Sequence, residues 1–294
     1  MKEKLIVGIG EIVWDMFPAG KQLGGAPLNF AYFAKELSAK SYAISAIGSD
    51  ALGEETFGKL SGSGVDVKCI QTNDLPTGRV IVTVDGEGIP QYEIIENVAW
   101  DAIGCSEEEL RLVRNADAIC WGSLAQRSKK SRSSILKMLD ATSGDCIKVF
   151  DINLRQHYYK KEIIEESLKR TDFLKLNEDE LLQVSEMFSL RGETVRVVDS
   201  LLKMFNLKEV IYTQGSVCSE VYDRNGLCSR IMTPKVNVAD TVGAGDSFTA
   251  AYVVSRLDGK DVGSAHKTAV EISAFVCTQR GAINPLPEGI LRSL

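Results

Sequence analysis

Apolar positions along this chain fall in short blocks, and the stretches between them carry apolar residues at helical spacing. Residues 5–9 (LIVGI) read as a buried strand. Residues 28–37 place apolar side chains at 28, 30, 31, 33, 34 and 37, one face of a helix. Residues 42–47 read as the next strand and 54–60 as a helix. Further strands are predicted at 116–121, 147–150, 173–176 and 209–213, and helices at 128–139, 163–169, 178–188 and 194–205. The C-terminal third closes with two long helical patterns, 244–256 and 262–278. Strand and helix in alternation predict a parallel sheet covered by helices on both faces, an α/β fold.

One region breaks the rhythm. Residues 79–84 (RVIVTV), a DGEG turn at 85–88 and residues 91–95 (QYEII) predict a β-hairpin. Residues 12–17 (IVWDMF) read as a further strand of the same small sheet. No repeat, linker or low-complexity tract divides the chain. The expectation is one domain over 1–294 with a small β lid formed from about 11–23 and 78–100.

The composition adds exclusions. At 294 residues, with 44% hydrophobic and 25% charged residues, the chain can bury a core of normal size. Lys plus Arg is 34 and Asp plus Glu is 40, a net charge of −6 without basic blocks. Such a chain is a poor non-specific nucleic-acid binder, although a local site can still hold an anion. The seven cysteines are scattered, odd in number and without a C-x-x-C pair, and there are two histidines. That favours reduced core thiols over a zinc or disulfide framework. The apolar N-terminal stretch is interrupted by Glu11 and Asp15, unlike a signal peptide, and no apolar run approaches a membrane span. A cytoplasmic protein is expected.

Two nucleotide motifs fail on inspection. Gly8-Ile-Gly10-Glu-Ile-Val13 begins like a dinucleotide fingerprint, but its third glycine is Val13 and Glu11 sits where a pyrophosphate would approach. The segment 53–60 (GEETFGKL) mimics a P-loop until Leu60 replaces the metal-binding hydroxyl, and it reads as a surface helix. The stretch 151–155 (DINLR) has the first spacing of a calcium loop but lacks its glycine, which is Gln156. It lies at the C-terminal end of a buried strand, where open α/β sheets bind ligands.

The stretch DTVGAGDSF (240–248) carries the most chemistry. Small residues at 243–245 let backbone N–H groups converge on an anion, and the helix that follows adds its positive dipole end. A capped helix with a glycine-rich entry explains the same residues without a ligand. Asp246, in the first turn, separates the two: a carboxylate beside an anion is costly unless it has a task such as accepting a proton. Gly24 and Gly25 allow close backbone approach ahead of the first long helix, where Asn29 can both donate and accept. The segment NEDE (177–180) reads equally as an N-cap with acidic first-turn residues.

Taken together, GGAPLNFA (24–31), followed by Ser38 and Gly48, and DTVGAGDSFTAAY (240–252) resemble the two signatures of the ribokinase-like (PfkB) carbohydrate kinases. DINLR, NEDE and TQG (213–215) fall between them in the order of that family, so the resemblance covers nearly the whole chain. It implies a three-layer α/β fold, with a central mostly parallel sheet, helices on both faces and a small β lid over the sugar. It implies ATP and a divalent metal, usually Mg2+, as cofactors.

Carried over residue by residue, the resemblance makes Asp246 the general base, and Gly243, Ala244 and Gly245 with it the anion hole for the transferring phosphoryl group. Asp15, Gly24, Gly25 and Asn29 would hold sugar hydroxyls, with Asn153 and Arg155 beside them. Asn177 and Glu180 would serve the ATP phosphates and, through water, the metal. Thr213 and Gly215 would lie along the nucleotide. The loop 277–284 would border adenine and, with Asp240 and Val242, hold a monovalent cation such as K+. One departure stands out: the second glycine usual after TQG is Cys218 here.

GEIVWDMFP (10–18), SLAQR (123–127) and DINLR look most like the fructokinase branch, which implies fructose phosphorylated at its 6-hydroxyl. Ribose, 2-keto-3-deoxygluconate, a sugar phosphate or a nucleoside are the alternatives; Trp14, Phe17 and Trp100 read equally as an apolar slot for a nucleobase or as packing of the lid. A non-catalytic sugar or nucleotide sensor on the same fold is the reading from a different class. Pairing into homodimers through the lid is also implied. The dipole at the start of the 244–256 helix should favour the ionised form of Asp246, making it a weak base at rest.

Overall fold

The computed structural model describes residues 3–18, 20–84 and 90–291. In chain order its first elements are β1 (Leu5–Ile9), β2 (Val13–Phe17), β3 (Gly20–Gly24), α1 (Ala26–Glu36), β4 (Lys40–Gly48), α2 (Ala51–Ser61), β5 (Ile70–Asn73), β6 (Gly78–Val84) and β7 (Pro90–Ile94). The middle holds α3 (Glu107–Arg114), β8 (Ala118–Trp121), α4 (Lys129–Asp140), β9 (Ile147–Asp151), α5 (Lys161–Leu168), β10 (Phe173–Asn177), α6 (Glu178–Met187) and α7 (Thr194–Phe205). The last third holds β11 (Glu209–Thr213), β12 (Cys218–Asp223), β13 (Gly226–Met232), α8 (Ala244–Leu257), α9 (Val262–Cys277) and α10 (Glu288–Leu291).

Nine strands form the large sheet, in the order β13-β12-β11-β10-β9-β8-β1-β4-β5. From β11 to β5 all neighbours are parallel; β12 and β13 add an antiparallel edge. Because side chains alternate along a strand, each central strand feeds two cores. Val7, Ile119, Phe150 and Leu174 pack towards α4, α5 and α7. Ile6, Ala118, Val149 and Phe173 pack towards α1, α8 and α9. The result is three layers: helix, sheet, helix.

The small sheet has the order β3-β2-β6-β7, with β2 and β6 parallel and both outer pairs antiparallel. The hairpin predicted over 79–95 is β6 and β7, and its DGEG turn lies outside the described residues. Trp14 and Trp100 do not form an open apolar slot. Both are fully buried, Trp14 donating to Thr56 and Trp100 lying under the Arg127 guanidinium. The predicted slot for a nucleobase is thereby corrected: these rings are packing groups. Among the described residues no helix is long and apolar enough to cross a membrane.

Asp50 ties the large sheet to the small one. It caps α2 by accepting from the Gly53 N–H at 2.8 Å, and it accepts from the Thr77 N–H (2.8 Å) and hydroxyl (2.6 Å) just before β6. Burial opposes its charge, but these donors outweigh burial and hold its carboxyl below the usual aspartate range. A depressed folded-state pKa contributes stability at neutral pH that is lost as pH falls through it. Asp50→Ala is expected to cost about 1–2 kcal/mol. The measurement is the urea midpoint at constant slope, and the difference from the parent should shrink in strong acid.

Candidate active site

A cleft of about 1210 Å³ opens at the C-terminal ends of the parallel strands, beside the small sheet. Topology places the ligand end of an open α/β sheet there. At its centre the N-termini of two helices meet. Gly243 caps α8 in a left-handed conformation (φ 81°), and a Cβ at this position would lie 3.0 Å from Ala282. Only glycine fits that turn and that contact. Asp246 follows in the first turn of α8, and the Asn29 amide on α1 donates to its Oδ2 at 2.8 Å.

Burial raises the Asp246 pKa to about 6, with Asp151 adding to the rise and Asn29, Lys175 and Arg155 opposing it. The expectation of a weak base with its charge favoured by the helix dipole is therefore corrected. Desolvation outweighs the dipole because the carboxyl is largely enclosed by protein and meets water only on the cleft side. Asp246 is a stronger base than an ordinary aspartate.

Behind it lies a buried ion pair absent from the sequence reading. Lys175 Nζ donates to both oxygens of Asp151, at 2.9 and 2.8 Å, and Thr249 adds a hydrogen bond to Oδ2 at 3.1 Å. A Cβ on Gly245 would lie 3.3 Å from the same ammonium. Burial disfavours the ammonium, but the carboxylates of Asp151, Glu180 and Asp246 outweigh this and keep its pKa above the ordinary lysine value. The readable signal was one lysine inside the apolar strand FLKLN.

Asn177 and Glu180 form a reciprocal cap at the start of α6. Asn177 Oδ1 accepts the Glu180 N–H at 2.9 Å, and Glu180 Oε2 accepts the Asn177 N–H at 2.8 Å. Glu180 Oε1 takes the Leu154 N–H at 3.0 Å. The local cap and the cleft position are thus both real, and the cap orients the carboxylate. Each oxygen keeps a lone-pair direction free, which suits contact with a hydrated cation. Among the described residues no three His, Cys, Asp or Glu converge to hold a bare metal ion. The donor set therefore fits a magnesium ion that keeps most of its waters and is held chiefly by phosphates.

Asp15, on β2, has its pKa raised to about 6 by burial, against the pull of Arg155. Gly25 has φ 122°, and a Cβ there would collide with the Glu11 carbonyl oxygen. Asp15, Gly25, Asn29, Asn153, Arg155, Asn177, Glu180, Thr213, Gly215, Gly243, Ala244, Gly245 and Asp246 all line the one cleft. Gly24 does not. It is buried at the end of β3, where a Cβ would sit 3.8 Å from Asp15 Oδ2.

At the far end, Gly215 (φ 47°) turns β11 into β12. Cys218 opens β12 as a buried residue whose thiol donates to Gln214 Oε1 at 2.6 Å. Thr233 donates to the Gly215 carbonyl at 2.8 Å. Asp240 accepts from the N–H groups of Val242 (3.1 Å) and Gly281 (3.0 Å), and so ties the 240–242 segment to the C-terminal loop.

A long cleft across the strand ends, with an acid at a glycine-capped helix start and the Thr213–Gly215 turn at its far end, is the arrangement of a phosphotransferase of the ribokinase type. Residues 10–289 match the pfkB family of carbohydrate kinases, and the chain belongs to that family. It is similar to the uncharacterized sugar kinase PH1459 from Pyrococcus horikoshii, 29% identical over 298 residues that span 95% of this chain and 91% of its relative. The fructokinase of Solanum tuberosum is 26% identical, covering 96% of this chain and 92% of that protein. Among solved structures, fructokinase from Xylella fastidiosa with bound ATP has the same fold, with a TM-score of 0.87 at 19% identity and coverage of 99% and 98%. PH1459 in complex with ATP gives a TM-score of 0.80 at 26% identity, covering 98% of this chain and 97% of that one. The protein is an ATP-dependent sugar kinase.

Proposed function

We propose that the sugar is fructose and that the product is fructose 6-phosphate. Relatives named fructokinase and Arg155 after DINL support this choice. The observation that carries the site assignment is Asp246, a partly buried carboxyl of raised pKa that faces the cleft and is held by Asn29 at the start of α8. The sugar lies against Asp15, Gly25, Asn29 and Arg155, with the small sheet closing over it as the lid of a single domain. Closure excludes water and limits hydrolysis of ATP.

The 6-hydroxyl oxygen attacks the γ-phosphorus as the bond to the β–γ bridging oxygen breaks and ADP leaves. The hydroxyl proton passes to Asp246. In a loose transition state this transfer comes late, and most of the protein's task is to stabilise charge on the phosphoryl oxygens. The N–H groups at 243–245 and the α8 dipole supply that stabilisation. Asn177 and Glu180 would hold a hydrated magnesium ion through its waters. That ion, when bound, neutralises the phosphates. Thr213 and Gly215 lie along the nucleotide. Homodimers would form through the small sheet at its β3 side, since Gln156 and Tyr158 already donate to the β7 carbonyls of Tyr92 and Ile94.

The test is ADP release with ATP and magnesium across fructose, ribose, 2-keto-3-deoxygluconate, fructose 6-phosphate and adenosine. Fructose should give the highest kcat/KM. A higher value for another acceptor overturns the choice of fructose and leaves the kinase assignment in place.

A further inference from the structure

Glu11 follows β1 and lines the same cleft as Asp15, Asn29, Arg155 and Asp246. The residue is 3% exposed, yet its Oε2 has no hydrogen-bond partner. Asn29 Oδ1, in the same wall, is also buried without a partner. Buried acceptors are normally satisfied, and those that are not call for a missing donor. A sugar presents several hydroxyl donors to such a wall. Burial pushes the Glu11 carboxyl up to about 7; its own N–H and Arg155 oppose the rise, Asp246 adds to it, and the Ala26 N–H opposes it. The group can therefore both accept from and donate to a hydroxyl near neutral pH.

We propose that Glu11 contacts the acceptor sugar directly, its Oε2 taking a hydrogen bond from a sugar hydroxyl and fixing which hydroxyl faces Asp246. Glu11 is then a specificity-determining residue. This rests on the acceptor being a sugar bound at the Asp246 end of the cleft; it does not require that sugar to be fructose.

The experiment uses whichever sugar the parent enzyme turns over best, so failure of the fructose choice leaves this test intact. Glu11→Leu removes the acceptor while keeping an apolar side chain in a buried place, a change that buried charges often tolerate. Its sugar KM should rise roughly tenfold or more, with the KM for ATP unchanged. Glu11→Gln, which keeps hydrogen-bonding capacity, should recover most of that loss. A sugar KM within twofold of the parent in both folded variants overturns the proposal, as does an equal rise in both KM values. Should Glu11→Leu fail to show a thermal transition, Glu11→Met, which also removes the acceptor while filling the buried place, carries the test on the same criteria.

Discussion

Replacing Asp246 by asparagine is expected to lower kcat by roughly 10²-fold or more, with much smaller changes in either KM. The substitution keeps the size of the side chain and the contact with Asn29 but removes the group that takes the hydroxyl proton. The pH profile gives a second, independent reading. A carboxylate must be ionised to accept a proton, and burial has raised this one to about 6. Parent kcat/KM should therefore fall as pH drops through about 6, well above the ordinary aspartate range. In Asp246→Asn the part of that acid limb carried by kcat should vanish, while Asp15, also raised to about 6, continues to act through the sugar KM. Near-normal turnover by the variant would remove Asp246 from the base role.

The second large effect concerns stability. Lys175→Met leaves the Asp151 carboxylate buried with the Thr249 hydroxyl as its remaining side-chain donor among the described residues. Breaking a buried pair by removing one partner costs about 3–5 kcal/mol, because the remaining charge stays out of water. Replacing both groups is a different matter. The double variant Lys175→Met with Asp151→Leu should regain most of the loss, since the desolvation penalty disappears with both charges. Urea midpoints of the parent, the single and the double variant measure this directly. A single variant within about 1 kcal/mol of the parent would show the pair to be solvated, contrary to its burial.

Some features were readable because their causes are local. The apolar blocks that became β1, β4, β9, β10 and β11, and the helical faces of α1, α7, α8 and α9, follow from spacing alone. The two glycine-led helix starts were readable because a left-handed turn such as that at Gly243 needs glycine wherever it occurs. Other elements carried too little local signal. β5 is four residues long, β3 is polar and glycine-bounded, and β13 faces solvent along much of its length. Such strands exist because neighbours supply hydrogen-bond partners, β2 for β3, β4 for β5 and β12 for β13, and that pairing leaves no trace in their own composition.

The site divides in the same way. Motif and order along the chain brought Asp15, Asn29, Asn177, Glu180 and Asp246 to notice. Their ionisation depends on packing, which no spacing records. The helix start argued for a weak base at Asp246; burial, helped by Asp151 and opposed by Asn29 and Lys175, made it a stronger one. Glu11 and Lys175 were visible as lone charges in apolar stretches, yet only the meeting of β1, β9, β10 and the two helix starts turns them into one electrostatic unit. Local pattern thus specified the elements and the residues at their ends. Burial, a property of the assembled layers, set the charge that each of those residues carries.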